Sequence, residues 1–125
     1  MTKDKALAIA WQSDVAEQDY PAAESYLNLL YSADRVAEMV TKLRKAPVVH
    51  FKAKDIFRAS QLSLLGISNS HVERDRKKIA NGIALSPILL VRDEPHGKLV
   101  IADGYHRLCA IYGFDEDALI PCKIV

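Results

Sequence analysis

The spacing of apolar residues changes in the last third of the chain. Residues 99–102 are all apolar, and Asp103 and Gly104 follow them. Apolar side chains then return three or four positions apart, at Leu108, Ile111 and Tyr112. A continuous apolar run is typical of a buried strand, a spacing of three to four is typical of a helix, and Asp-Gly marks a tight turn. The segment therefore predicts a strand, a turn and a helix that starts at the glycine.

Two amphipathic stretches before Pro47 predict a helical hairpin. The first helix begins near Asp19, with Pro21 close to the first helical position, and the second begins at Ser32, a favourable N-cap. We expect apolar side chains of both helices to face the core, namely Ala23, Tyr26, Leu27, Leu30, Val36, Val40 and Leu43. The hairpin is interpreted as a cover for the core or as an interaction surface.

The remaining secondary structure follows from shorter patterns. Apolar runs predict strands at residues 48–52, 88–91, 99–102 and 120–125. Helical patterns cover residues 53–60 and 71–81. Loops or turns are expected at Gly66 with residues 68–70, at residues 93–97 and at residues 115–117.

This mixture of elements predicts an α+β fold with a small mixed sheet and flanking helices. The length of 125 residues fits one domain. Within it, residues 1–46 form an N-terminal helical extension and residues 47–125 form the α/β core. The strands at 88–91 and 99–102 are expected to pair as a hairpin, which places Asp103 and Gly104 at one end of the sheet.

Charge is balanced overall but unevenly distributed. The chain has 17 basic and 16 acidic side chains, and residues 41–80 carry ten of the basic and three of the acidic ones. A positive segment attracts anions such as nucleotides or nucleic acid, although a solvated basic face is an alternative. Direct nucleic-acid binding by this segment is a hypothesis that we do not favour.

We expect a cytoplasmic protein without a membrane segment. No stretch approaches the roughly 20 apolar residues of a membrane span, and the first five residues lead into no signal-peptide pattern. Cys109 and Cys122 lie among apolar residues in a predicted helix and a predicted strand. We therefore expect reduced core cysteines and neither a disulfide nor a metal pair.

The turn that follows residue 102 has the chemistry of an anion site. A helix start leaves backbone N–H groups without partners and carries partial positive charge. Gly104 lets the backbone approach a ligand, and Arg107 offers a fork of donors that suits phosphate. His106 can donate to phosphate or move a proton. The turn predicts a site for an anion of phosphate size.

Several roles remain open for the residues of this turn. Asp103 could orient His106, bind Mg²⁺ or act as a general base, or it could simply cap the helix. His106 with Asp103 is weak evidence for a metal site because a third ligand is not identifiable, and we predict none. Arg107 is either an anion contact, which we favour, or a structural ion-pair partner. Tyr105 either stacks on a base or sugar or covers the turn.

A second set of candidates lies on the helix predicted at residues 71–81. His71, Arg74 and Lys78 are three and seven positions apart, so they share one stripe of that helix. This spacing alone assigns the stripe no ligand. Simple exposure to solvent would explain such a stripe equally well.

The order of these elements resembles the ParB/sulfiredoxin superfamily over about residues 71–125. The resemblance rests on a helix, the strand after Ser86-Pro87, the segment from Leu99 to Ala110 and the closing strand from Ile120 to Ile124. Members bind nucleoside triphosphates at a Gly-x-His-Arg or Gly-Glu-Arg-Arg turn that starts a helix. The residues that match this turn are Gly104, His106 and Arg107.

The resemblance implies a sheet of ParB/sulfiredoxin type and a nucleoside triphosphate, with Mg²⁺, as the ligand. It also implies that His71, Arg74 and Lys78 contact phosphates, since the corresponding helix of sulfiredoxin-like proteins does so. The superfamily includes DNA-partition switches, sulfinic-acid reductases and small-molecule kinases. Reductase chemistry is disfavoured because Tyr105 stands where that chemistry needs a cysteine. Partition activity is disfavoured because the chain has no room for a DNA-reading helix pair after the last strand.

These observations predict a domain that binds a nucleotide or another phosphorylated small molecule. If the domain is catalytic, phosphoryl transfer or nucleotide hydrolysis is the reaction expected, with Asp103 and His106 as catalytic residues. Gly104, Tyr105, His106 and Arg107 would bind the ligand, together with His71, Arg74 and Lys78. The alternative is a non-catalytic module that binds a protein partner or acts in a DNA-associated system.

Overall fold

The structure is a computed structural model that describes residues 8–66 and 69–125. Within these ranges it contains five α-helices and four β-strands. The helices are α1 (Asp19–Leu27), α2 (Ala33–Lys45), α3 (Ala53–Ser60), α4 (Ser70–Ala80) and α5 (Tyr105–Phe114). The strands are β1 (Val49–Lys52), β2 (Ile88–Asp93), β3 (Lys98–Asp103) and β4 (Leu119–Ile124). The first five residues, which lead into no signal-peptide pattern, and Ser68 of the predicted loop lie outside the described residues.

The four strands form one mixed sheet in the order β1-β4-β2-β3. β2 pairs with β3 and β1 pairs with β4 in antiparallel fashion, whereas β2 and β4 are parallel. A short helix, Glu94–His96, joins β2 to β3. The structure thereby confirms the predicted α+β class, the small mixed sheet and the hairpin of strands β2 and β3.

The central strand β2 is buried on both faces. Ile88 and Leu90 belong to the core cluster that α3, α4 and α5 cover. Leu89 and Val91 belong to the opposite cluster, which α1 and α2 cover. Strands covered on both faces read as continuous apolar runs, which explains the sequence of β2. The helical hairpin thus covers β2 and β3 on one face of the sheet, in agreement with its interpretation as a cover for the core.

The inward face of α1 is narrower than the sequence predicts. Ala23 and Leu27 are fully buried, but Tyr26 is 42% exposed and Leu30 is also exposed. The helix ends at Leu27, so Leu30 lies beyond it, and Tyr26 projects away from the stripe that faces the sheet. The expectation of buried Tyr26 and Leu30 is therefore wrong.

In α2 the expected inward residues are nearly all buried. Val36 and Leu43 are buried, and Val40 is partly buried against the same cluster. Ser32 occupies the predicted N-cap position, but its side chain makes no capping hydrogen bond within the described residues. Packing against the sheet therefore positions this helix more than its cap does.

A buried lysine ties the last strand to the helical hairpin. Lys123 on β4 is only 4% exposed. Its ammonium group donates to the Tyr20 hydroxyl at 3.1 Å and to the Arg44 carbonyl at 3.0 Å, and it lies 3.3 Å from the Asp14 carboxylate. These partners supply the polar contacts that a buried ammonium group needs.

Both cysteines are free and buried, as expected. Cys109 lies on α5 and Cys122 on β4. Burial raises the pKa of Cys122 to about 12, so its thiol stays protonated at neutral pH. Each helix in residues 8–66 and 69–125 is too short or too polar to cross a membrane.

Candidate anion-binding site

The turn between β3 and α5 requires glycine. Gly104 has a φ of +112°, which side-chain-bearing residues rarely adopt, and a Cβ there would lie 2.3 Å from Cγ2 of Ile88. α5 begins at the next residue, and no side chain among the described residues caps it. The capping role weighed for Asp103 is therefore wrong. The first N–H groups of α5 remain available to a ligand.

Arg107 is held by two carboxylates. Its Nη2 lies 3.1 Å from Oδ2 of Asp103 and 3.4 Å from Oδ2 of Asp19, and the side chain is 17% exposed. The Ser86 hydroxyl donates to the same Asp19 oxygen at 2.6 Å. Nε of Arg107 is buried without a hydrogen-bond partner in the described part of the chain. Arg107 is thus a structural ion-pair partner, as one alternative predicted, and it also lines the cleft described below.

The pKa of Asp103 is raised. Its burial is the main cause, and the nearby charge of Asp19 acts in the same direction. The Arg107 guanidinium opposes both effects. Two acidic groups therefore share one positive charge, so this part of the site has excess negative charge when both are ionised.

The start of α4 forms the second wall of the site. Oδ1 of Asn69 accepts hydrogen bonds from the N–H groups of His71, at 3.0 Å, and Val72, at 3.2 Å. This cap fixes the first turn of α4, which packs beside α5. The stripe predicted on α4 consequently faces the start of α5.

One side of α4, from His71 to Lys78, and the start of α5 enclose a polar cleft of about 210 Å³. Every candidate from the sequence lines it, together with one further acidic residue. Its lining consists of His71, Arg74, Asp75, Lys78, Asp103, Gly104, Tyr105, His106 and Arg107. The structure therefore brings together the turn and the α4 stripe, which lie about 30 positions apart in the sequence. We call this space the polar cleft.

Two histidines stack loosely inside the polar cleft. The rings of His71 and His106 have centroids 4.8 Å apart and are tilted by 40°. Nη2 of Arg74 donates to Nδ1 of His71, so that nitrogen carries no proton in this arrangement. The pKa of His106 is lowered, mainly by burial. The charges of His71 and Arg74 lower it further, whereas the charge of Asp75 raises it. His106 is thus mostly neutral at pH 7 and can accept a proton.

Tyr105 connects the polar cleft to the segment before α4. Its hydroxyl donates to the carbonyl of Ser63, and its ring centroid lies 5.5 Å from that of His106. Burial raises the pKa of this hydroxyl, so it remains a donor at neutral pH. Tyr105 therefore covers the turn and holds the neighbouring loop in place.

Sequence reasoning missed Asp75, Asp19 and Ser86. Asp75 lies four positions after His71, so the helical spacing that selected the stripe would have found it. Asp19 and Ser86 lie far from the turn in sequence and reach it only through packing. Lys54 on α3 pairs with Asp117 at 2.7 Å and lies outside the polar cleft.

The described residues contain no group of three or more His, Cys, Asp or Glu side chains able to hold a metal ion. No protein-family model, curated protein or solved structure gives a significant match to the chain. Fold and site define a small α+β domain with a polar cleft between one side of α4 and the start of α5.

Proposed function

We propose that the chain is a nucleotide- or phosphate-ligand-binding domain of ParB/sulfiredoxin type, with the phosphate bound in the polar cleft. One observation carries the proposal. The turn after β3, selected from its residues, and the stripe on α4, selected through the resemblance, line a single small cavity. Such convergence of polar groups is the usual mark of a ligand site.

The polar cleft sets three cationic side chains, Arg74, Lys78 and Arg107, against two acidic ones, Asp75 and Asp103. Burial raises the pKa of Asp103, which weakens its negative charge. The free N–H groups at the start of α5 and its helix dipole favour an anion there. Arg74 and Lys78 add positive charge from the opposite wall. A bound anion would favour the protonated form of His106, whose pKa burial lowers in the free protein.

The ParB/sulfiredoxin type is supported by the order of elements. A helix, two paired strands, a helix that begins at the glycine turn and a final strand follow one another from α4 to β4. The final strand lies beside β2, in parallel, at the centre of the sheet. This arrangement sets the Gly-x-His-Arg turn at one sheet end.

A catalytic form of the proposal is phosphoryl transfer or nucleotide hydrolysis. His106, with its lowered pKa, would accept a proton from the attacking nucleophile. If Mg²⁺ arrives with the phosphates, Asp75 and Asp103 are the two carboxylates of the polar cleft that would hold it, since Mg²⁺ needs only one or two when it keeps water and phosphate ligands. Bound Mg²⁺ would neutralise phosphate charge.

The proposal is tested by thermal unfolding with phosphate, pyrophosphate, ATP, CTP and GTP, each with and without Mg²⁺. A ligand that binds the folded state raises the melting temperature. For the best ligand, Lys78→Gln should raise Kd about threefold to tenfold, since it removes a charge worth about 1 kcal/mol. Lys77→Gln is the matched control because Lys77 lies on the same helix outside the polar cleft. Absence of any stabilisation, or equal loss in both variants, would contradict the proposal.

The second candidate is a non-catalytic interaction module, and exposed apolar side chains favour it. Leu29 is 81% exposed and Leu30 is also exposed, both just after α1. Apolar side chains clustered at a surface can mark a partner site. This candidate predicts ligand-dependent association without turnover, which analytical ultracentrifugation and a phosphate-release assay on one sample would reveal.

A further inference from the structure

A second cavity opens directly beside the polar cleft. It has a volume of about 440 Å³ and shares the residues from Asp103 to His106 with the cleft. Its remaining walls are apolar or aromatic and consist of Ala22, Tyr26, Leu62, Ile101 and Ala102. We call this space the apolar groove.

The walls of the apolar groove come from three parts of the chain. Ala22 and Tyr26 are four positions apart on α1, so they present one helix face. Ile101 and Ala102 are buried and border the groove along β3, the edge strand of the sheet. Leu62, which is exposed, closes the groove from the segment after α3. Tyr26 is exposed and does not pack in the core, and its ring forms the aromatic wall of the groove.

Specific contacts hold these walls in place. The Tyr105 hydroxyl donates a hydrogen bond to the carbonyl of Ser63, the residue that follows Leu62. At the other wall, the Ser86 hydroxyl and Arg107 both contact Asp19 at the start of α1. The groove is therefore formed before any ligand arrives, which reduces the entropy lost on binding.

The two cavities differ in chemistry and together have the size of a ligand site. Typical small-molecule sites measure about 300–1,000 Å³, whereas the polar cleft alone measures about 210 Å³. A phosphate bound in the cleft leaves the adjoining groove to water. A ligand with a phosphate at one end and a flat apolar group at the other would occupy both.

We infer that the apolar groove is a second subsite for the same ligand and receives an aromatic ring carried by the phosphate, with Tyr26 as the stacking wall. The ligand class is a phosphate ester or anhydride that bears a ring, either a nucleoside phosphate or a simpler aryl phosphate. This inference rests on the proposed phosphate site. It makes Tyr26 of the N-terminal extension a specificity-determining residue.

Two matched ligand pairs test the inference by calorimetry. Phenyl phosphate is compared with methyl phosphate, and AMP with ribose 5-phosphate, on the wild type, Tyr26→Ala, Tyr26→Phe and Leu29→Ala. The ring should improve Kd about tenfold in the wild type, as expected for one stacked ring. The gain should vanish in Tyr26→Ala and persist in Tyr26→Phe. It should also persist in Leu29→Ala, the control for loss of an exposed apolar side chain outside the groove.

The ring-free ligands separate the two proposals. Equal binding of methyl phosphate by all four proteins, with a ring gain that depends on Tyr26, supports the subsite. If the ring improves Kd in both ligand pairs, the subsite accepts any aromatic ring. If it improves Kd only in the AMP pair, the subsite is specific for a nucleoside. Methyl phosphate that binds without any ring gain, or with a gain unaffected by Tyr26→Ala, overturns the subsite and leaves the phosphate site intact. No binding of any member overturns the phosphate site as well.

Discussion

The guanidinium of Arg107 lies 3.4 Å from the carboxylate of Asp19, a residue 88 positions earlier in the chain. Asp19 starts α1, which covers one face of the sheet, whereas Arg107 belongs to α5 on the other face. The contact therefore joins the helical extension to the residues of the polar cleft. Arg107 takes part in this contact and also lines the polar cleft, so its substitution tests both stability and the proposed ligand binding.

Arg107→Ala should destabilise the protein, by about 2–4 kcal/mol near neutral pH, because it leaves two carboxylates without their counter-charge. The effect should shrink at low pH. The pKa of Asp103 is higher in the folded protein than its value of about 3.9 in the unfolded chain. Ionisation of Asp103 therefore destabilises the folded state as the pH rises above about 3.9. Removal of the guanidinium raises that pKa further. Urea unfolding at about pH 4 and pH 7 measures the difference.

Arg58→Ala serves as the control for this prediction, since its pair with Asp55 is exposed and 3.9 Å long. It should leave stability unchanged at both pH values. An equal loss for Arg107→Ala at both pH values would show that the carboxylates do not cause the destabilisation.

Gly104→Ala should destabilise the fold by about 3 kcal/mol or more, because positive φ and a severe contact with Ile88 act together. Gly82→Ala separates the two causes. Gly82 has a φ of +71°, but its Cβ would meet nothing within 4 Å, so only the conformational cost of about 1–2 kcal/mol applies. Chemical denaturation of both variants is the measurement. Similar losses would mean that Ile88 moves aside.

Sulfate binding should tighten as pH falls from about 8 to about 5. A bound anion raises the pKa of His106, which burial holds low in the free protein, so binding takes up a proton. Sulfate is the probe because its charge is constant over this range. The affinity should change about threefold to tenfold, and His106→Gln should flatten the profile. His96→Gln, at an exposed histidine beside Asp93, should leave the profile unchanged. A slope that survives His106→Gln would contradict the prediction.

Local signals in the sequence predict the turn and its neighbours. The Asp-Gly pair and the change in the spacing of apolar residues predict β3 and α5 where the structure has them. Helical spacing alone predicts that the residues of the α4 stripe share one face. Long-range polar contacts leave no such signal. The burial of Asp19 and Lys123 depends on partners about 70 to 100 positions away. Tyr26 was assigned to the core because its spacing fits an apolar stripe, yet the sheet contacts only part of that stripe.

The most direct test of the phosphate site is a titration of isotope-labelled protein with pyrophosphate, followed through the backbone amide signals by NMR. Binding at the start of α5 predicts saturable shifts that are largest for the amides of Tyr105, His106 and Arg107, since these groups would donate to the anion. Shifts confined to exposed lysines such as Lys42 and Lys45 on α2, or no saturable shifts, would contradict the site.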